Sequence, residues 1–254
     1  MHCFKKMSLL LLCALLLVGC ARTATFDSQE AKSQEEILLK VNNYNGLITL
    51  YRSWLKEKDD PATRMKLARN YYLSGDYKSS LQTLQPLLNN PDIPRYLLQA
   101  QNLIALGEYP RAVRATEKIM QREPQHAEAW NLRGVALALN GQLTEAQKSL
   151  QRARSLFIAD DIALNNLAML AMIDGRYQDA VNLLLPQYLR GRKHDRLMRN
   201  LVLALVKVGD RRYAREIIRD ENLSPQPEAL INALAQISPL PAEDSAHEDS
   251  VFLY

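Results

Sequence analysis

Apolar and small side chains return along this chain with a period close to 34 residues. Around Gly141 they are Ala127, Trp130, Gly134, Leu137, Ala146, Leu150 and Ala153, and similar sets surround Gly75, Gly107, Gly175 and Gly209. These five glycines are separated by 32, 34, 34 and 34 residues. Within each set the apolar positions fall three and four apart, as on one face of an α-helix, and the glycine separates two such stretches. The pattern predicts five helix-turn-helix units over 61–223. A unit of this size buries its apolar face only by stacking on neighbours, so the expected fold is an all-α repeat solenoid. One slot is small in every unit: Ser80, Ala112, Ala146, Ala180 and Ala214. That is expected where the two helices of a hairpin cross closest, because a larger side chain there overpacks by about 1–3 kcal/mol. After the glycine, which permits the left-handed backbone that ends a helix, four units carry a charged residue, Asp76, Glu108, Arg176 and Asp210. The residue beyond it is Tyr77, Tyr109, Leu143 or Tyr177, an apolar plug that Arg211 replaces in the fifth unit.

The offsets in the third unit, W-x2-(L)-G-x2-Y, a turn glycine, then A-x3-F-x2-A, resemble tetratricopeptide (TPR) repeats, with Arg133 where leucine is usual. The resemblance implies a scaffold that holds another molecule. Pro86 and Pro186 share one register late in second helices, where proline removes a donor, so those helices are expected to stop or bend early. Ahead of the repeats, Leu47, Ile48, Tyr51, Trp54 and Leu55 are spaced for one helical face and resemble the second half of a degenerate repeat, so 36–60 is read as an N-terminal cap. Residues 224–238 permit a capping helix with Pro227 in its first turn, and 239–254, rich in Pro, Ser and acids, is expected to be disordered.

The first twenty residues carry a different message. Lys5 and Lys6 precede an apolar run from Met7 to Val18 broken only by Ser8, too short for a final membrane span and suited to a signal-peptide core. It ends Leu17-Val18-Gly19-Cys20, which resembles the bacterial lipobox. The resemblance implies cleavage after Gly19, a diacylglycerol thioether on Cys20 and an amide-linked acyl chain, a firm anchor because several chains act together. Ala21 after the cysteine resembles the outer-membrane class of lipoprotein. Residues 1–19 are thus read as signal peptide and 20–35 as lipidated cysteine and tether. The leader also removes Cys3 and Cys13, so the mature chain is expected to have no thiol left for a disulfide, a metal or catalysis. With Lys5 and Lys6 gone, 30 basic and 28 acidic side chains leave +2, and bulk charge does not point to nucleic acid.

No phosphate loop, G-x-S-x-G, H-E-x-x-H or cysteine and histidine cluster with metal spacing is present, which argues against an enzyme, a cofactor or a metal site. Asp59-Asp60 and Asp160-Asp161 flank predicted helices and suit capping. In a TPR array partners lie against the first helices, which here present Met65, Arg69, Tyr72, Leu97, Gln101, Ile104, Asn131, Val135, Asn165, Met169, Met172, Arg199 and Leu203. The polar and large members, Arg69, Tyr72, Gln101, Asn131, Asn165, Met169 and Arg199, are the candidate partner groove; the aliphatic ones suit inter-repeat packing equally well. Chaperone-type TPR domains hold a peptide carboxylate on a Lys and Asn clamp. Here Asn166, Arg196 and Asn200 sit near the later positions, but Asn131 and Val135 stand in the first, so the clamp is incomplete. From Arg190 to Arg219 ten basic residues face three acidic ones. Arg190, Arg192, Lys193, Arg196, Arg211 and Arg212 form a candidate basic patch for an acidic partner or lipid headgroups; a solvated outer face is the alternative.

A lipobox, a short tether and the block NYNGLITLYRSWLKEKDDPATRMKLARNYYLSGDYKSSLQTLQPLL, residues 43–88, followed by TPR repeats, resemble the TadD family, lipoproteins of tight-adherence (Flp) pilus systems. The resemblance implies a lipid-anchored protein on the periplasmic face of the Gram-negative outer membrane, acting as pilotin or assembly factor for the pilus secretin. The alternative is a TPR lipoprotein adaptor for cell-wall hydrolases, or a pilotin of another pilus or secretion system.

Overall fold

Side chains that accept from their own helix starts set the element boundaries. Ser28, Asn43, Asp60, Asp76, Asp92 and Asp210 each accept a hydrogen bond from a backbone N–H three residues on. The structure is a computed structural model that describes residues 28–89 and 91–237. Among these residues there are thirteen α-helices, one short 3-10 helix and no strand. The signal peptide, Cys20 with Leu17, Val18 and Gly19, and the tail 239–254 lie outside the described residues.

The helices fall into two compact units divided between Ser74 and Gly75. The first unit contains α1 (Gln29–Lys40), α2 (Tyr44–Glu57) and α3 (Pro61–Leu73). Helix α2 packs on both α1 and α3 and supplies most of the unit's own core, Leu47, Leu50, Tyr51 and Trp54, with Ala31 and Leu67 from its neighbours. Tyr51 donates its hydroxyl to Glu35 (2.7 Å), Lys66 donates to the same carboxylate (2.7 Å), and the Lys66 ammonium stands over the Tyr51 ring. One carboxylate thereby joins all three helices. Because Ser28 caps α1, residues 29–35, expected as tether, are helical instead.

The second unit runs through α4 (Tyr77–Leu84), the 3-10 turn Gln85–Asn89, α5 (Ile93–Ala105), α6 (Tyr109–Met120), α7 (Ala127–Leu139), α8 (Leu143–Ser155), α9 (Asp160–Ile173), α10 (Tyr177–Leu189), α11 (Asp195–Lys207), α12 (Arg211–Asp220) and α13 (Pro227–Gln236). Consecutive helices pack as hairpins, and each of α5, α7, α9 and α11 also packs on the first helix of the next hairpin. This is the expected solenoid. Its division from the first unit cuts the first predicted repeat between α3 and α4. Pro86 ends α4 after eight residues and converts the chain to a 3-10 turn, as expected, whereas α10 continues through Pro186 to Leu189. Pro186 sits in the last turn and is exposed, so the helix forgoes one backbone bond there and still closes.

The turn glycines carry out the role the pattern predicts. Gly141 has φ +75°, and the N–H groups of Gly141 and Gln142 return to the carbonyls of Ala138 and Leu137 (3.1 and 2.9 Å). The same double closure recurs at Gly107, Gly175 and Gly209. All five residues of the small slot are fully buried. Opposite Ala146's helix, a Cβ added at Gly134 would lie 2.6 Å from Leu150 Cγ. Arg133, the departure from the repeat pattern, donates to the Ser149 hydroxyl (2.7 Å) and lies over the Trp130 ring, so a polar bond replaces the usual aliphatic contact.

Candidate partner-binding surface

In the middle of the second unit the first-helix face is closed. Asn131 on α7 accepts from Asn166 Nδ2 on α9 (2.7 Å), and Asn165 on α9 accepts from Asn200 Nδ2 on α11 (3.0 Å). All four amides are buried. Asn131 and Asn165, read from sequence as groove residues, therefore join adjacent repeats, and the clamp-like Asn166 and Asn200 are their partners. Met169, a third groove candidate, is buried too, as are Ile104, Val135 and Met172. Helical periodicity put these side chains on the correct face, but neighbouring first helices approach closely enough to cover it. Leu97 and Gln101 are half-buried, and Gln101 donates to Glu128 (3.3 Å). Arg69, Tyr72 and Met65 belong to α3 of the first unit, where Arg69 is exposed and the other two half-buried.

The face opens on α11. Arg199 is exposed, and Arg196, Leu203 and Lys207 are half-buried. At spacings of three, four and four residues these four side chains lie within about 80° of one another around the helix. Arg199, a groove candidate, and Arg196, a patch candidate, thus belong to one stripe. Lys207 ends it and donates to the backbone carbonyls of Ala235 (3.0 Å) and Ile237, tying the end of α13 to the end of α11. Lys207 was not among the sequence candidates; the i, i+4, i+8 spacing from Leu203 and Arg199 was the available signal.

The rest of the patch is less free. Lys193 pairs with Glu221 (2.5 Å) over the Tyr188 ring, and Tyr188 donates its hydroxyl to the same carboxylate (2.8 Å). The Lys193 ammonium, then the Tyr188 hydroxyl, hold the Glu221 carboxyl below its ordinary value, while burial and that bond push the Tyr188 phenol up. Arg212 pairs with Glu216 (3.6 Å), Arg211 reaches the Asn232 side-chain oxygen (3.4 Å), and Arg192 reaches that of Gln187 (3.1 Å). Arg199 has Asp195 at 4.0 Å. Among the described residues no carboxylate pairs with Arg190 or Arg196. Cations without a carboxylate partner thus lie at the α10–α11 turn and the start of α11, and also on α12 at Arg211 and Arg219. Also among the described residues, no group of three His, Cys, Asp or Glu is placed to hold a metal, and no helix is long and apolar enough to cross a membrane.

The tetratricopeptide-repeat family model matches residues 97–160 and 140–193, the stretch that holds the Asn131–Asn166 pair, Asn165 and the buried small-slot residues Ala112, Ala146 and Ala180. Residues 97–193 carry tetratricopeptide repeats. A TPR protein of Thermus thermophilus superposes with a TM-score of 0.59 at 22% identity over 70% of this chain and 98% of its own. A tetratricopeptide repeat protein of Parabacteroides merdae gives 0.61 at 15% identity, covering 82% and 84%. MamA of Desulfovibrio magneticus RS-1 gives 0.53 at 19%, covering 66% and 98%. At these identities the likeness is one of fold. No curated protein matches the chain.

Proposed function

We propose that this chain is a lipid-anchored TPR scaffold of the outer membrane that holds a segment of another protein, and that the segment belongs to the secretin of a tight-adherence (Flp) pilus. The open stripe Arg196–Arg199–Leu203 on α11 carries the binding part of this reading. It combines two cations and an apolar side chain on a rigid helix, and in the two preceding repeats the positions corresponding to Arg199 and Leu203 are buried, as Asn165 and Asn131 and as Met169 and Val135. A helix or strand with acidic residues beside an apolar one suits such a surface. The address is supported by Leu17-Val18-Gly19-Cys20 with Ala21, and the secretin by the resemblance of residues 43–88 to the TadD family.

The test is to delete the chain in its own host and follow the secretin. Monomers degraded or left in the wrong membrane support the pilotin role. Secretin multimers at normal level and location refute it, and recovery of amidases or endopeptidases with the solubilised protein would favour the hydrolase adaptor. The variant for that experiment is Arg196→Glu with Arg199→Glu, because changing the buried Asn131 and Asn165 would test the fold.

A further inference from the structure

The α8–α9 turn holds an aromatic ring out into solvent. Phe157 is 94% exposed, and its backbone sits at φ +63°, in the left-handed region that disfavours a bulky side chain. Helices α9 and α11 pack on each other as equivalent first helices of successive hairpins, so the turns that precede them lie side by side, about 10 Å apart. The second of these turns, α10–α11, brings Leu189, 67% exposed, and the exposed Arg190 and Arg192. This end of the two hairpins therefore presents two bare apolar side chains beside two arginines. Most carboxylates near it are matched within the chain. Asp160 has Arg154 at 4.0 Å, Asp195 has Arg199 at 4.0 Å, and Glu221 pairs with Lys193 (2.5 Å). Arg152, Arg190, Arg192 and Arg219, which no carboxylate pairs among the described residues, stand against Asp161 and Asp220 and leave the end positive.

We propose that this end is a membrane-contacting edge, at which Phe157 and Leu189 enter the headgroup layer of an anionic phospholipid surface and Arg190 and Arg192 meet its phosphates. Charge complementarity selects a surface of phosphates. Shape selects a bilayer over a protein. A ring so exposed has no neighbours with which to form a groove, and two turn tips at the ends of parallel helices offer points rather than a recess. A protein would have to supply a separate pocket for each, whereas the interfacial layer admits apolar and aromatic side chains without one. The arginines suit the same layer, because their apolar stems lie along lipid while the guanidinium stays among phosphates. The inference rests on these turns alone and holds whether or not Cys20 carries lipid.

The experiment uses the full chain with Cys3→Ser, Cys13→Ser, Cys20→Ser and Phe157→Cys, so that a single thiol carries an environment-sensitive fluorophore. Vesicles of phosphatidylethanolamine with phosphatidylglycerol should brighten the label at 157 and shift it to the blue. Gln142→Cys places the same label in the glycine turn at the other end of α8, about 20 Å away, where it should not respond. Neither should the label at 157 respond to phosphatidylcholine alone. Arg190→Gln with Arg192→Gln should lower the ratio of immersed to free label at 157 roughly twentyfold, because each cation near an anionic surface contributes about a factor of five. A label on Leu189→Cys, with the phenylalanine in place, should respond as the first does, and Phe157→Ser should cut its ratio about tenfold, with helicity preserved by circular dichroism. Equal responses at 142 and 157, a response that survives the arginine changes or neutral lipid, or no response at all would overturn the proposal. So would a response at 157 that needs no vesicles and grows with protein concentration, which marks a surface for a protein.

Discussion

Replacing Gly134 by alanine adds one methyl group where α7 and α8 approach most closely. An ideal Cβ there lies 2.6 Å from Leu150 Cγ, 2.7 Å from its Cδ2 and 3.1 Å from its backbone nitrogen. Leu150 is 1% exposed and Ala146, one turn earlier, is 0% exposed. The leucine side chain is enclosed and must shift, whereas the backbone contact asks for only a few tenths of an ångström. Overpacking of this kind costs about 1–3 kcal/mol. Against it, alanine for glycine in a helix interior stabilises by about 1 kcal/mol. The expected balance is a loss of up to about 2 kcal/mol. Leu150→Ala alone should cost about 2–5 kcal/mol by emptying the same space. In that background Gly134→Ala meets only the backbone nitrogen, and the propensity gain should dominate, so the added methyl becomes stabilising. Urea denaturation of the four chains, followed by circular dichroism, reads the reversal of sign. If Gly134→Ala stabilises the unaltered chain, or if the two changes simply add, the close crossing is not where this structure places it.

Three further outcomes are expected. Asn166→Ala leaves the buried Asn131 oxygen without its donor and should cost about 1–3 kcal/mol, whereas Asn131→Leu with Asn166→Leu should be close to neutral; equal losses in the two chains would remove the pair from the account. Phe157 is 94% exposed at φ +63°, in the inter-repeat turn where the next repeat has Gly191 at φ +82°, so Phe157→Gly should stabilise by up to about 1 kcal/mol by thermal melting; a loss of that size would mean that the ring packs against something in solution. Cys20→Ser should abolish lipidation and leave the protein soluble or uncleaved, and continued fractionation with the outer membrane after high-salt washing would end the lipobox reading.

The turns and crossings were legible because each imposes a local demand that few residues meet. A left-handed backbone calls for glycine at 107, 141, 175 and 209, and a close crossing calls for a small side chain at 112, 146, 180 and 214, so the requirement shows as a residue type at fixed spacing. The groove was legible only in part. Helical periodicity states which side of α7 and α9 Asn131 and Asn165 occupy, but not how near the next first helix comes, and that distance decides whether an amide meets a partner or another amide. A signal was available: both pairs are 35 residues apart, one more than the repeat period, so each Asn at one position is matched by an Asn at the adjacent position of the following repeat. The join at Gly75 and the helical start at Gln29 were not legible. Ser28 is a short cap within a polar stretch, and nothing in the repeat register distinguishes Gly75 from the other turn glycines.

The same register position reads Leu97, Asn131, Asn165 and Arg199 along successive first helices, and its environment changes along the series. Asn131 and Asn165 each have a following repeat whose asparagine, one position later, donates to them. Arg199 is followed by α13, which offers no such donor, and its side chain is exposed. An asparagine at 199 would gain no amide partner, and an arginine at 165 would bring an unpaired charge into a site 4% exposed. Arg199→Asn should accordingly change stability by no more than about 0.5 kcal/mol, the range of surface substitutions. Asn165→Arg should cost at least about 3 kcal/mol, because a buried guanidinium lacks both water and a carboxylate there. Thermal melts of the two variants measure the contrast directly. If Arg199→Asn proved as costly as Asn165→Arg, Arg199 would be part of the repeat packing, and the stripe on α11 would have no claim to be the open end of the array.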